Sequence, residues 1–368
     1  MAIKSGTQAD IAHRTLLSQA TVSAAVRELA TAGLISTAKD RGKVCLSPLH
    51  DVGVGVHLGF NHTTVVARRL DKEFDQVTSQ VRSEGVSRGW QRALPDVKQM
   101  IEEAIEGTGQ QRSHVLSLGI AVPRMINPQT AEFTLPILPP WREGDDPAGD
   151  LGSWLGVRAL IDNDANLGAL AEQTYSTREH AETVVYVKAS TGIGAGIIVH
   201  NNVLRGHGGM AGEMGHLTVD PDGAVCQCGG RGCLETVIGA DALIAQVRAA
   251  RARNGAPPPE TLEQVIVSAN AHDAVCMRVI HDAGRRLGHS LAQLCNLLNP
   301  DLVVIGGQLA QSQLLLEGCN ESLRRFALPG AVAASSKFVL GLSELGTQAE
   351  AQGALVLGLR GHEHSGGT

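Results

Sequence analysis

Apolar positions near the amino terminus recur at helical spacing in two short bursts. Ile11 and Ala12 face inward on a first helix that Thr7 can cap, and Val22, Val26 and Leu29 fall at i, i+4 and i+7 on a second helix behind the N-cap residue Ser18. A turn at 15–17 separates them, and Gly33 ends the second. Residues 35–47 read as a hairpin with Asp40-Arg41-Gly42 at its tip. The period then changes to that of strands: 52–60, 63–70 and 77–82 as antiparallel neighbours, and 114–122 as a continuous buried run. Between them 93–106 is an amphipathic helix. Residues 127–150 are read as a Pro-rich loop, 158–161 as a strand, 165–176 as a helix, and 184–188 with 193–200 as a hairpin. Helices are expected at 240–253 and 271–298, the latter carrying Ile280, Leu287, Leu291, Leu294 and Leu298 inward. Strand 302–305, a closing helix at 349–359 packed back on the first strands, and a frayed tail complete the pattern.

Composition narrows this picture. A chain of 368 residues with 43% hydrophobic content and 43 glycines is an α/β protein of two or three domains. Aromatics make up only 3%, so its cores rest on Val, Leu, Ile and Ala. No apolar run is long enough to cross a membrane and no signal-peptide pattern is present, which points to a cytoplasmic protein with no membrane partner. The formal net charge of -6 argues against nucleic-acid affinity of the whole chain. Residues 1–50, however, hold six basic side chains against three acidic ones. A basic head on an acidic body directs any DNA contact to the head.

The strongest chemical signal is a run of donors. His216, Cys226, Cys228 and Cys233 are spaced His-x9-Cys-x-Cys-x4-Cys among glycines. One imidazole and three thiolates form a tetrahedral zinc set. The competing reading, a disulfide in a loop, needs an oxidising compartment. A structural Zn2+ is therefore expected on these four residues.

The same stretch, Gly212-Glu213-Met214-Gly215-His216 followed by Cys226-x-Cys228-Gly229-x-x-Gly232-Cys233-x-Glu235, resembles the signature of the ROK family of repressors, open reading frames and sugar kinases. The resemblance extends from about 52 to about 360 and implies a two-lobed actin-like ATPase (ribonuclease H-like) α/β fold. It implies Asn163, Asp164, Glu213, His216 and Glu235 as sugar ligands, with Asp164 the general base if the protein is a kinase. Asn163 equally suits a helix cap. Trp141 suits either stacking on a sugar or plain packing. The glycine-rich turn at 190–196 suits either a phosphate or a tight hairpin.

The head, "LSQATVSAAVRELATAGLI", resembles the winged helix-turn-helix of bacterial regulators, with Gln19, Thr21, Ser23 and Arg27 on the reading helix and Arg41 and Lys43 on the wing. An ordinary helical hairpin is the alternative. Leu16 stands where such turns usually carry Gly, and the helix that usually precedes the motif is expected to be short or missing.

The body departs from the kinase pattern. His57, Gly59, Phe60 and Asn61 stand where the kinases have Asp-x-Gly-Gly-Thr. An imidazole supplies no carboxylate for magnesium-phosphate, and Phe60 puts bulk where phosphate must approach. Pro123-Arg124 replaces Pro-Gly, and Gln308 replaces a frequent glycine. No ATP-magnesium site and no catalysis are expected. The expected organisation is a winged helix-turn-helix at 1–48, a first lobe at 52–162 completed by helix 346–361, and a second lobe at 163–345 with a zinc loop at 213–235. The implied function is a sugar-responsive transcriptional regulator, most simply a repressor of carbohydrate-utilisation genes, acting on operator DNA as a homodimer or dimer of dimers. A sugar kinase with a regulatory head, and a sensing or assembly protein with a vestigial head, are the alternatives.

Overall fold

The computed structural model describes residues 5–15, 17–31, 35–37, 43–46, 50–72, 76–134, 140–175, 181–252, 257–332 and 338–363. The first element, strand β1 (Ser5–Thr7), is not announced by the apolar pattern. It runs directly into α1 (Gln8–Thr15), which Thr7 and Asp10 cap reciprocally. The Asp10 N–H donates to Thr7 Oγ1 at 3.2 Å and the Thr7 N–H donates to the Asp10 carboxylate at 2.9 Å. Helix α2 (Gln19–Thr31) starts behind Ser18, whose Oγ accepts the Thr21 N–H at 3.0 Å. Val22 and Val26 are buried with Ala12, Ile35 and Val44. Leu29 is 40% exposed, so the predicted stripe stops one turn early. Strands β2 (Ile35–Thr37) and β3 (Lys43–Leu46) form the expected hairpin, and β1 pairs with the far edge of β3, giving the order β1-β3-β2. Leu16, Gly33 and the hairpin tip Asp40-Arg41-Gly42 lie outside the described residues.

The first large sheet starts as an antiparallel meander of β4 (Val52–Leu58), β5 (Thr63–Arg69) and β6 (Thr78–Arg82). Helix α3 (Trp90–Gly107) crosses over to β7 (Val115–Val122), which lies parallel beside β4. Helix α4 (Pro147–Leu155) then leads to β8 (Ala159–Asn163), parallel to β7. The segment read as a loop thus ends in a helix, with Asp146 as its cap (Gly149 N–H to Asp146 Oδ1, 2.9 Å) and Pro147 in its first turn. Trp141 does not face a cleft. It is 3% exposed, with its ring 5.0 Å from Phe133 and 6.2 Å from Trp90. Packing is its role, and residues 135–139 of the Pro-rich stretch lie outside the description.

Helix α5 (Asp164–Tyr175) introduces the second half. Strands β9 (Thr183–Ala189), β10 (Ile193–Val199) and β11 (Asn202–Val203) repeat the antiparallel meander. Four helices follow: α6 (Glu235–Ile238), α7 (Ala240–Arg251), α8 (Leu262–Asn270) and α9 (Ala274–Leu298). Asp273 caps α9 and Asn299 ends it in the left-handed region at φ 47°, so the long helix starts later than its apolar pattern suggested and α8 is separate. Strand β12 (Leu302–Gly306), helices α10 (Gln313–Phe326) and α11 (Pro329–Val332), strand β13 (Val339–Leu342) and helix α12 (Ala349–Glu363) close the chain. The sheets are ordered β6-β5-β4-β7-β8 and β11-β10-β9-β12-β13. Each is three antiparallel strands in meander followed by two parallel ones, one topology used twice.

Helices α5 and α12 pack on each other, α12 on β4 and β7, and α5 on β9 and β10. Glycines make the approach possible. A Cβ at Gly119 would lie 1.8 Å from the Ala354 carbonyl oxygen, and one at Gly55 2.1 Å from that of Ala351. Gly353 faces the Leu167 carbonyl and Gly196 that of Ala165 in the same way, at 1.7 and 2.1 Å. These neighbours are backbone and cannot rotate aside. Gly119→Ala should therefore destabilise the protein by about 3 kcal/mol or more, or prevent folding. Gly330→Ala, which would meet nothing within 4 Å, should shift stability by less than about 1 kcal/mol. Urea unfolding of both variants checks this, and equal midpoints would refute the seam.

Candidate functional site

The carboxyl ends of β4 and β9 bring side chains from both sheets to the first residue of α5. Asp164 starts α5 and is buried; the Lys188 ammonium, from β9, donates directly to its Oδ2. His57, from β4, is fully buried with Nε2 3.5 Å from Asp164 Oδ2 and 3.3 Å from Lys188 Nζ. Burial alone would push the Asp164 carboxyl up. The Lys188 charge, together with the His57 contacts, outweighs that and holds it down at about 2. His62, in the β4–β5 turn, stands edge-on to His57 at 4.9 Å, and burial, then the neighbouring His57 and Lys188, lower it to about 3. This neutral ring folds back over Gly59, where a Cβ would come within 2.8 Å of it. The turn that carries phosphate-binding glycines in the kinase pattern is thus filled by its own histidine.

Beside this cluster the turn 162–166 is locked by its own hydrogen bonds. Asp162 takes Arg205 Nε at 2.8 Å and Nη2 at 2.6 Å on one oxygen, and the Asn163 N–H and Asn166 Nδ2 on the other. Asn163 Oδ1 accepts the N–H groups of Ala165 and Asn166, and its Nδ2 donates to the Arg124 carbonyl. The helix-cap reading of Asn163 is realised, and its carbonyl is spent on it. Glu213 is pushed up to about 7 by burial first and then by Asp164 and Glu235, with Arg124 pulling the other way. These three carboxylates and Arg124 are close enough to feel one another. Glu235, the first residue of α6, accepts the Ile193 N–H at 3.0 Å and Gln227 Nε2 at 3.1 Å.

The donor run folds as its spacing predicts. One ligand atom each from His216, Cys226, Cys228 and Cys233 lies within 4.8 Å of every other. Cys226 Sγ is 3.6 Å from His216 Nδ1 and Cys228 Sγ is 3.7 Å from Cys233 Sγ, with all three thiols free. Gly229 and Gly232 supply the left-handed turns at φ 86° and 64°. With Nδ1 among the sulfurs, His216 Nε2 is left facing Glu213, 3.7 Å from Oε2. The four donors can hold a metal, and the same imidazole ties that cluster to the carboxylates.

On the head, Gln19, Thr21 and Arg27 are exposed on α2, Ser23 is half-buried, and Thr21 Oγ1 also bonds Ser18 Oγ at 2.7 Å. Lys43 is half-buried on β3, and Arg41 lies outside the described residues.

A duplicated sheet topology with two helices between the copies, and a His/Cys loop beside a buried Asp at a helix start, define an actin-like sugar-kinase fold. The chain belongs to the ROK family, which it matches over residues 53–360. It is 31% identical over 329 residues to the provisionally named xylose repressor of Caldicellulosiruptor sp. strain Rt8B.4, covering 84% of this chain and 81% of that one. It is also 31% identical over 249 residues to a glucokinase of Halalkalibacterium halodurans, covering 64% and 74%. A solved ROK family transcriptional regulator, a homologue of the E. coli MLC protein, superposes with TM-score 0.74 at 26% identity over 96% of this chain and 91% of that one.

Sequence reasoning missed Lys188 and Arg205. The signal for Lys188 was its isolation in the apolar strand TVVYVKA, where a lone charge implies a buried partner. Lys188→Met would strand the Asp164 carboxylate, and a loss of about 3–5 kcal/mol is expected. Adding Asp164→Asn should recover much of it. Thermal unfolding of the single and double variants checks the cycle, and additive losses would disprove the coupling.

Proposed function

We propose that the protein is a sugar-responsive transcriptional regulator, a repressor of carbohydrate-utilisation genes, with a kinase-like body that no longer transfers phosphate. The observation that carries this reading is the buried Lys188–Asp164–His57 cluster. A general base must be free to take a proton from a sugar hydroxyl, with a pKa near the working pH. Asp164 is engaged by an ammonium and held near 2, which suits a fixed acceptor and not a base. The carboxylates that could grip hydroxyls, Asp164, Glu213 and Glu235, remain together. His216 Nε2 and the second hydrogen of the Asn163 amide Nδ2 would complete the sugar contacts. The repressor relative and the regulator structure, whose match extends well beyond residues 53–360, support the same reading.

In this reading residues 1–48 form a winged helix-turn-helix, reading bases through Gln19, Thr21, Ser23 and Arg27, with Lys43 and Arg41 on the backbone. The remainder divides into lobes at 52–162 and 163–345, the first completed by helix 346–361. A homodimer would present two heads to a two-fold operator in the cytoplasm. Zinc is the metal assigned to His216, Cys226, Cys228 and Cys233. Around a tetrahedral zinc the sulfur–sulfur and sulfur–nitrogen edges are about 3.7 and 3.5 Å, close to the separations of 3.7 and 3.6 Å found here. Such an ion would fix the loop and the tautomer of His216, leaving Nε2 toward the sugar.

The deciding experiment titrates the full chain, at fixed moderate salt, against DNA from upstream of its own gene with and without a panel of sugars. Specific binding changed by one sugar is expected, and Asp164→Asn should abolish the sugar effect while leaving DNA affinity within about threefold. ATP-dependent phosphorylation of a sugar, lost in Asp164→Asn, would replace this reading with a kinase. Separately, Cys228→Ser should lose bound zinc and weaken sugar binding by about tenfold or more. Metal analysis with calorimetry reads both, and unchanged sugar affinity in a metal-free variant would uncouple the loop from the site.

A further inference from the structure

Helix α6, which carries Glu235, also walls a second cavity that neither the sugar reading nor the metal cluster uses. The cavity has a volume of about 700 Å³ and opens between α6, α7, α9 and α10, a size typical of small-molecule sites. One face of α9 lines it with Arg278, Asp282, Arg285, Arg286 and His289, spaced three and four apart so that they form a single stripe. Three guanidiniums line it beside Asp282, with Glu321 next to Arg285. Arg278 Nε holds Asp282 at 2.7 Å, and Arg285 stands 3.8 Å from both Asp282 and Glu321. Arg286 has no acidic partner among the described residues. The opposite wall is mainly apolar, with Val237 from α6 and the half-exposed ring of Phe326 from α10 over the buried Ile238 and Leu243, and with Gln246 and Ser322 as its polar members. His289 meets that ring edge-on at 4.6 Å, and the Arg325 guanidinium lies 5.2 Å from its centre.

We propose that this cavity binds a small organic anion with a compact apolar part, a phosphate monoester being the best match. Guanidinium forks recognise phosphate oxygens in pairs, and the surplus of cations leaves Arg286 available for that contact. The apolar wall then takes the group that the phosphate carries. The site is also joined to the cleft. Val219, which lines the cavity, donates its N–H to the Gly232 carbonyl at 2.8 Å inside the thiol loop, and Thr218 bridges Cys233. A ligand here presses on the loop and short helix that place His216 and Glu235, so it should change the affinity of the cleft for its own ligand, and the reverse by the same factor. That regulatory half rests on the proposed sugar site; the binding half does not.

Calorimetry on the full chain tests it with three probes: phenyl phosphate, inorganic phosphate and phenol. Phenyl phosphate should bind more tightly than inorganic phosphate, and phenol should give no measurable heat. The double variant Arg285→Ala/Arg286→Ala, which changes exposed side chains only, should weaken phenyl phosphate by about tenfold or more. Equal affinity for the two phosphates would overturn the mixed chemistry. Affinity untouched by the double variant would place the anion elsewhere, on the basic head for example. If phenyl phosphate binds as expected but leaves the affinity for the effector sugar unchanged, the regulatory half is wrong. A chain that binds no sugar at all but binds phenyl phosphate through these arginines would sink the sugar reading and leave this site standing.

Discussion

At four glycines no side chain separates the central helices from each other or from the sheets they join. Gly55 and Gly119 let the backbone of α12 rest on β4 and β7, Gly196 lets β10 meet α5, and Gly353 lets α12 meet α5. Backbone contact at this range leaves little freedom for the layers to slide, because interiors are close-packed and do not deform continuously. The two sheets are therefore held with their strand ends facing a common cleft. His57 from one sheet and Lys188 from the other can reach the same carboxylate only because of that arrangement. Tyr186 adds a polar tie, donating from β9 to Glu350 at the start of α12 at 2.9 Å in a fully buried setting.

The buried charges then decide what the cleft can do. Removing an aspartate from water favours its neutral form, and a lone Asp164 would be drawn toward the pKa of a base. Lys188 and His57 reverse that, so Asp164 is an ionised acceptor at every physiological pH. A carboxylate so engaged holds a hydroxyl more readily than it takes a proton from it. Filling of the adjacent turn by His62 over Gly59 acts in the same direction. Two independent features, one electrostatic and one steric, therefore support the proposed loss of phosphoryl transfer, with the acids proposed to face hydroxyls still in place.

What the amino-acid sequence revealed follows the range of the forces involved. Strands β4 to β6, β9 and β10, the capped helices α1 and α2, and the metal donors were legible because period, cap and spacing are local properties. Strands β1 and β13 were not, being short segments that exist by pairing with β3 and β12. Helix α10 was overlooked although its apolar residues are periodic; Ser312 ahead of it makes no side-chain cap, so its start carries no local mark. Leu29 fits the helical stripe and yet is 40% exposed, outside the cluster that Val22 and Val26 join. Trp141 was ambiguous for the reason that few aromatics exist to fill a core: the three rings of Trp90, Phe133 and Trp141 gather in one place. In the site, the departures at His57 and Phe60 were visible, but their meaning depended on Lys188, 131 residues away from His57 in sequence.

The proposed regulator must convert a sugar's grip into a change at the head, and the chain offers a direct line. Strand β4 begins soon after β3 of the head ends, and its far end carries His57. The acids proposed to face a sugar are divided: Asp164 belongs to the helix between the sheets, whereas Glu213 and Glu235 follow the second meander. A ligand bridging them stabilises one placement of the segments carrying Glu213 and Glu235 against α5 only to the extent that it binds that placement more tightly. Glu213, pushed up to about 7 by burial and by the two other carboxylates, supplies such a difference. A hydroxyl bound between Glu213 and Glu235 would offer the Glu213 carboxyl a hydrogen-bond partner in place of water. In the proposed reading, like-charge crowding in the empty site is what a bound sugar would relieve, and that difference would drive the response.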